Sequence, residues 1–490
     1  MGIIQRQGIQ SALITYTGIL IGSVSLLLIQ PKLLTAEEIG LTRILYSFSF
    51  LVSTLLPLGI VNITTRFFPK FRNTEKNHHG FFGFMLIGLG AGCLLFLPLL
   101  WLFDHFFKSL YLAESPLFSN YFNYVFPLSV IIALISTFSN YLYSVFKPII
   151  PAFAQEILLR ILFIILILIY ILGGINLADF VALYTGTYFL QLIIISIPLI
   201  TSGNISLKID RSVFTPKIIR SMINYGWMVF AAGIASMAIK LLDVVVLGQF
   251  VALDLVGIYG IAAFVPTFIE APLTALDKIA NSQISHSWEK NDIENIRTIY
   301  YKSARYLFLL GGILFLLVIV NVPYLFRWLP PQYKVGIPVV SILSLGALFN
   351  LMTGSNTAII FTSERFHTGA IGLIAVSIIH LVLLYILIPN LGLEGAAWAT
   401  MLASLLYNSF KFFYIKYRFK FQPFEKRTLF IAISIVVTYG AAKLVPVTGN
   451  VITDVALHSF VIILVYGLLI WYSRSADDLK SIIPFFRKKA

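Results

Sequence analysis

The sequence predicts an all-α polytopic membrane protein with fourteen transmembrane helices, and three observations predict it. Of its 490 residues, 59% are hydrophobic and 11% charged, whereas soluble proteins carry about a quarter charged residues. Apolar runs of spanning length alternate with short polar stretches, and about 20 apolar residues cross a bilayer core as a helix. The basic residues alternate too. The stretches at 66–79, 201–220, 282–305 and 411–427 hold 4, 4, 4 and 6 Lys/Arg, and one side collects 26 against 5 on the other. By the positive-inside rule both termini are cytoplasmic.

The first run, 10–29, follows MGIIQRQG with no small-residue cleavage site after it, so it reads as a retained helix. It holds Gly18 and Gly22 at a close-packing spacing. The second run, 41–65, contains Pro57, the third, 80–103, Pro98, and the fourth, 119–143, Pro127. The lone cysteine, Cys93, can form neither an intrachain disulfide nor a thiolate cluster. The fifth run, 152–172, begins with Glu156 and Arg160. The sixth and seventh follow at 178–200 and 219–247. In the eighth, 256–281, Pro266 and Pro272 predict a bend. The ninth and tenth occupy 300–321 and 336–361. The eleventh, 368–388, holds His380, expected to pack or to bond to a neighbouring helix. The last three lie at 393–414, 428–445 and 452–472.

A duplication organises these runs. LLTAEEIGLTRI (33–44) precedes the second helix as FVALDLVGIYGI (250–261) precedes the eighth, with Gly40 and Gly257 217 residues apart. The same offset lays GGINLADFVALY (173–184) over NLGLEGAAWATM (390–401). Two six-helix lobes of parallel topology follow, 1–200 and 218–415, as in transporters whose sites lie between repeats. Two additional helices occupy 427–472, and 473–490 is a basic cytoplasmic tail.

Charges at membrane depth are costly and face a cavity or a partner. In helix eight, Thr267, Glu270, Thr274, Asp277 and Asn281 share one face. In helix seven, Gly233, Ser236, Lys240 and Asp243 do the same. Helix two offers Arg43, Ser47, Thr54 and Pro57, continuing toward Thr64 and Arg66. These faces should line an aqueous cleft or pack on each other. The competing expectation is mutual neutralisation, Lys240 with Asp243 at i,i+3 and Glu156 with Arg160 at i,i+4, acid first. Asp277 and Lys278 lie where side chains can snorkel.

The polar stretches leave no room for a folded catalytic domain. No GxSxG elbow, Walker loop, HExxH or CxxC occurs. An enzyme and an ATP-driven pump are thereby disfavoured. The net charge of +14 sits beside apolar helices without a nucleic-acid motif, so nucleic acid is not an expected partner.

KLLDVVVLGQFVALDLVGIYGIAAFVP (240–266) resembles helices seven and eight of the polysaccharide transporter or oligosaccharide flippase family. That family belongs to the superfamily of multidrug extruders and lipid II flippases. LTAEEIGLTRI and NLGLEGAAWATMLASLLYN are similar to its other recurrent segments. The resemblance implies two six-helix lobes with helices one, two, seven and eight framing a cavity, which would add Gln10 and Thr17 of helix one to its polar lining. It implies a multi-pass protein of the bacterial cytoplasmic membrane. Its substrate would be an undecaprenyl-diphosphate-linked oligosaccharide, a repeat unit of O-antigen lipopolysaccharide, capsule or exopolysaccharide, moved to the outer leaflet by alternating access. Arg43, Arg160 and Lys240 would then contact the diphosphate, while Asp243 and Glu270 serve coupling or gating. Ser47, Thr54, Ser236, Thr267 and Thr274 would line the cavity. No cofactor or metal is expected beyond Na+ or H+ as coupling ion. The partners would be the lipid-linked glycan, membrane lipids and other polysaccharide-assembly membrane proteins. The alternatives are a multidrug or small-metabolite cation antiporter, or a membrane glycan polymerase or ligase; the latter would need a larger extracytoplasmic loop than 104–118.

Overall fold

Helix, and no strand, forms the regular structure of the described residues in the computed structural model, which covers residues 2–201 and 205–473. Apart from Ser473, the basic tail lies outside the described residues, as does the side chain of Lys278. Among the described residues, ten helices are long and apolar enough to span a membrane, or up to twelve if each of two bent pairs is one span. This is a multi-pass membrane protein.

The chain divides into two compact units between Gly257 and Ile258. In the first, α1 (Gly2–Val24) continues through a π-helical turn at Ser25–Ile29. Thr35 starts α2 (Ala36–Leu55) with a capping box, its hydroxyl accepting from the Glu38 N–H and its own N–H donating to Glu38. The expected Pro57 bend is present. Leu58 and Gly59 take left-handed backbone angles, and α3 (Ile60–Phe67) departs at 55°. There follow α4 (Phe81–Leu102), α5 (Val125–Ser144), α6 (Leu159–Ile171), α7 (Leu177–Thr201) and α8 (Pro216–Phe250). Compactness therefore leaves α8, the seventh predicted span, in the first unit, whereas the repeat alone divides the chain before it.

Gly40 and Gly257, the repeat-related glycines, pack against each other. A Cβ on Gly40 would lie 1.9 Å from the Leu253 carbonyl oxygen, and one on Gly257 2.0 Å from that of Ala36. The duplicated motif thus marks a contact of backbone on backbone. Gly18 and Gly22 make a second close approach, Gly18 against Glu156 and Gly22 against the Arg160 guanidinium.

The division between units falls within α9 (Leu253–Phe264), and α10 (Thr267–Glu289) leaves it at 50° beside Pro266, as the prolines predict. Next come α11 (Ile293–Leu325), α12 (Ile337–Met352) and α13 (Asn356–Thr362). The tenth predicted run is therefore two helices, parted at Gly354 with φ +64°. The eleventh and twelfth runs merge into α14 (Phe366–Phe419), whose helical geometry breaks at Gly392. A Cβ on Gly395 would sit 2.3 Å from the Leu387 carbonyl oxygen, although eight residues of straight helix rise about 12 Å. The His380–Thr400 and Tyr414–Thr368 hydrogen bonds likewise join its two arms as an antiparallel hairpin. The expected interhelical bond of His380 is the first of these.

The predicted basic stretch 411–427 needs correction, because α14 continues to Phe419 and buries Lys411 to 3% exposure. Its apolar neighbours are helical residues, and Lys411 extends their periodicity instead of ending it. Finally, α15 (Lys426–Lys443) and α16 (Val451–Tyr472) pack on α11, where the Tyr466 hydroxyl donates to the Leu309 carbonyl at 2.9 Å. Arg327 on the turn after α11 meets the buried Asp454 carboxylate at 3.4 Å.

Candidate functional site

In the first unit the candidate cation is Arg43. It lies two turns into α2, where the capped start fixes its height, and the groups acting on its charge are the hydroxyls of Tyr184, Tyr188 and Tyr46. The Tyr184 and Tyr188 hydroxyls are 3.2 Å apart, and the Tyr46 and Tyr188 rings stack with centroids 6.1 Å apart. None of these three neighbours is a carboxylate.

Tyr46 and Tyr188 also line a cavity of about 390 Å3. It is enclosed by α2, α3, α5, α6, α7 and the π-helical turn Ala154–Leu158, within the first unit. Gln155, Gln191, Asn140, Ser139 and Ser136 contribute amides and hydroxyls, and no Asp, Glu, His, Lys or Arg is among its thirteen lining residues. Gln155 donates to the Ser139 hydroxyl at 3.1 Å, while the Asn140 Oδ1 is buried with no hydrogen-bond partner.

Arg160 has a different setting. Its guanidinium meets the Glu156 carboxylate at 2.9 Å and sits against Gly22 of α1, with its Nη1 buried and unbonded. Lys240 is exposed on α8, Ser236 is half-buried, and Asp243 is buried with Oδ1 accepting from the Val244 N–H at 2.8 Å. Gln10 is half-buried and Thr17 exposed; Ser47 is buried.

The predicted hydroxyl stripes have a local use as well. Thr54 donates to the Leu51 carbonyl at 2.7 Å, Thr267 to Phe264 at 2.5 Å and Thr274 to Ala271 at 2.8 Å. All three flank the proline bends, where hydroxyl back-bonding bends helices.

In the second unit, Glu270 accepts from the Asn350 amide at 3.0 Å. The buried Lys411 donates to the Thr357 hydroxyl at 2.9 Å and lies 4.4 Å over the Tyr407 ring. Asp277 and Glu270 act on its charge, and the Asp277 Oδ1 is buried without a hydrogen bond. Asp277 is half-buried and belongs to the electrostatic surroundings of Lys411. Asn408, one turn before Lys411, accepts from Thr353 at 3.1 Å and from Asn356 at 3.3 Å. Sequence reasoning missed Lys411, yet Ser404, Asn408 and Lys411 recur at steps of 4 and 3. That spacing was the available signal.

A family model described as "Polysaccharide biosynthesis protein" matches residues 6–276. A membrane protein of Methanocaldococcus jannaschii is 23% identical over 269 residues. That match spans 52% of this chain and half the length of the relative. Among solved structures, the lipid II flippase MurJ in an inward closed conformation superposes with a TM-score of 0.75 at 16% identity, covering 96% of this chain and 99% of that one. An inward-facing multidrug resistance MATE family transporter of the MOP superfamily gives 0.62 at 15%, covering 82% and 94%. Both solved relatives are transporters, not enzymes, and at these identities the likeness is one of fold. With more than half of its length matched, the chain belongs to the polysaccharide biosynthesis protein family.

Proposed function

We propose that this protein is a flippase that carries an undecaprenyl-diphosphate-linked oligosaccharide from the inner to the outer leaflet of the bacterial cytoplasmic membrane by alternating access. The observation that supports it most is Arg43, a cation held in the first unit by phenols. A diphosphate needs cationic hydrogen-bond donors, and exposed Lys240 is the second candidate. Arg160, already bound to Glu156, ranks third. Asp243 and Glu270 are proposed for coupling to H+ or Na+, or for gating.

The reading includes fourteen spans with cytoplasmic termini. Counting each bent pair as one span, the two arms of α14 separately, and the 18-residue α15 is consistent with that number. A cation exporter is the less favoured alternative, because Arg43, with no carboxylate among the three tyrosines acting on it, would repel its cargo.

The deciding experiment uses the purified protein in liposomes with a fluorescent polyprenyl-diphosphate disaccharide, scored by its accessibility to an impermeant reagent. Bidirectional exchange above that of protein-free liposomes is expected. Absent exchange, together with uptake of ethidium against a cation gradient, overturns the flippase reading in favour of the exporter.

A further inference from the structure

The cavity in the first unit shares its aromatic wall with Arg43. Tyr46 and Tyr188 act on the guanidinium and also line the adjoining space. At about 390 Å3 it falls in the range of about 300–1,000 Å3 typical of small-molecule pockets. Its walls combine ring faces with amides and hydroxyls and carry no formal charge. Apolar cargo would leave those amides unsatisfied at a depth where that is costly. Anionic or cationic cargo would find no counter-charge on the walls. A neutral polyhydroxylated ring fits both: its C–H faces pack on tyrosine, and its hydroxyls reach amide donors and acceptors. Gln191, 2% exposed, and Asn140, whose Oδ1 lacks a partner, provide buried polar atoms for such a ring.

We infer that this cavity is a saccharide subsite, in which Asn140, Gln155 and Gln191 bond the hydroxyls of a neutral sugar ring while Tyr46 and Tyr188 pack on its face. Arg43 lies near the same tyrosines, outside the cavity's lining. Anion and sugar are thereby read side by side, as in a glycan joined directly to a diphosphate. The identity of the carrier rests on the flippase reading; the recognition of a sugar does not.

The test measures binding to the full-length protein in nanodiscs by native mass spectrometry, with two probes: polyprenyl diphosphate alone, and the same carrier bearing one N-acetylhexosamine. Saturation-transfer NMR with a free N-acetylhexosamine disaccharide is the third measurement. In wild type the sugar should tighten binding about tenfold. Gln191→Leu and the rim variant Ser136→Leu should abolish that gain while leaving the sugarless carrier's affinity unchanged, and should remove the disaccharide signal. Arg43→Gln should weaken both carriers and spare the disaccharide signal. Thermal unfolding of each variant within a few degrees of wild type secures the comparison, and Ser136, on the exposed rim, guards against a folding defect at Gln191. A sugar gain that survives both leucine variants overturns the proposal, as does a wild type that binds neither the sugar-bearing carrier more tightly nor the disaccharide. Disaccharide binding that depends on Gln191, with neither carrier bound, upholds the subsite and defeats the flippase reading alone.

Discussion

Each unit holds a cation among rings and hydroxyls, Arg43 half-buried and Lys411 buried, and the two are compensated oppositely. Arg43 stands among three tyrosines beside a neutral cavity, whereas Lys411 is held by a threonine hydroxyl, a tyrosine face and the charges of Asp277 and Glu270. Removing a charge from water costs several kcal/mol unless partners offset it. At Lys411 two carboxylates of the same unit supply the offset. At Arg43 the phenols supply only dipoles, so the remaining demand for a counter-charge is one that an anionic ligand can satisfy. On this contrast rests the proposal that Arg43 serves binding and Lys411 structure or gating.

That contrast fails first at Lys411 if it is wrong. Lys411→Met removes the donor to Thr357 and the cation whose charge Asp277 and Glu270 act on, and leaving buried polar or charged groups unsatisfied costs about 1–3 kcal/mol or more. Thermal unfolding in detergent should show the largest loss of any single variant considered. Lys411→Met with Asp277→Asn should regain most of it. Equal stability of the single and double variants would show that Asp277 is not the offsetting partner.

Arg43→Gln should do the reverse, leaving unfolding near wild type and reducing carrier binding. A charge-assisted hydrogen bond contributes on the order of 1.5–3 kcal/mol, so a loss of about tenfold or more is expected, with Arg43→Lys intermediate. Stability that falls as far as in Lys411→Met would make Arg43 a structural cation like its counterpart. Lys240→Gln combined with Asp243→Asn separates the second candidate: transport equal to wild type would reduce Lys240 to a partner of Asp243.

How far the sequence foretold this contrast depends on what each residue's neighbours reveal. The helical class, the bends at Pro57 and Pro266 and the Glu156–Arg160 pair were legible, because each follows from hydropathy, proline geometry or i,i+4 spacing along one chain segment. The role of Arg43 was legible only as an intramembrane charge. Tyr46 stands three residues on along α2, but Tyr184 and Tyr188 come from α7, about 140 residues away in sequence, and no periodicity joins those two to Arg43. Lys411 was misread because a run of basic residues at a helix end looks like a loop. Burial of its stem within a helix that runs on to Phe419 is a tertiary fact. The cavity was invisible for a simpler reason: beyond Ser136, Ser139 and Asn140 on α5, its amides are single side chains, Gln155 and Gln191, on two other segments.

The duplicated glycines offer a milder test within one unit. Gly257→Ala would drive a Cβ to 2.0 Å from the Ala36 carbonyl oxygen, and a backbone atom cannot move aside as a side chain can. Overpacking of this kind costs about 1–3 kcal/mol. Thermal unfolding should fall by less than for Lys411→Met. Gly440→Ala, where a Cβ meets nothing within 4 Å, is the control. Equal effects of the two would mean that the Gly40–Gly257 contact adds no stability within the first unit.

The smallest effect is expected where charge is exposed. In the stretch after α7, Asp210 accepts from the Ser212 hydroxyl at 2.6 Å and lies 2.9 Å from the His79 ring, and the Asp210 N–H donates to the His79 carbonyl at 3.1 Å. The Ser212 hydroxyl first, then His79, hold its carboxyl down at about 2. A depressed carboxyl stabilises the fold above its ordinary value near 3.8, and that contribution fades as pH falls toward about 2. Hydrogen exchange at 205–215 should therefore be slow and flat from pH 7 to 5, once corrected for intrinsic rates, and lose protection below about 4. Asp210→Asn should show the reduced protection already at pH 7 without lowering global unfolding, since solvent screens an exposed pair. Protection that persists unchanged in the variant would assign the tether to the backbone bond with His79.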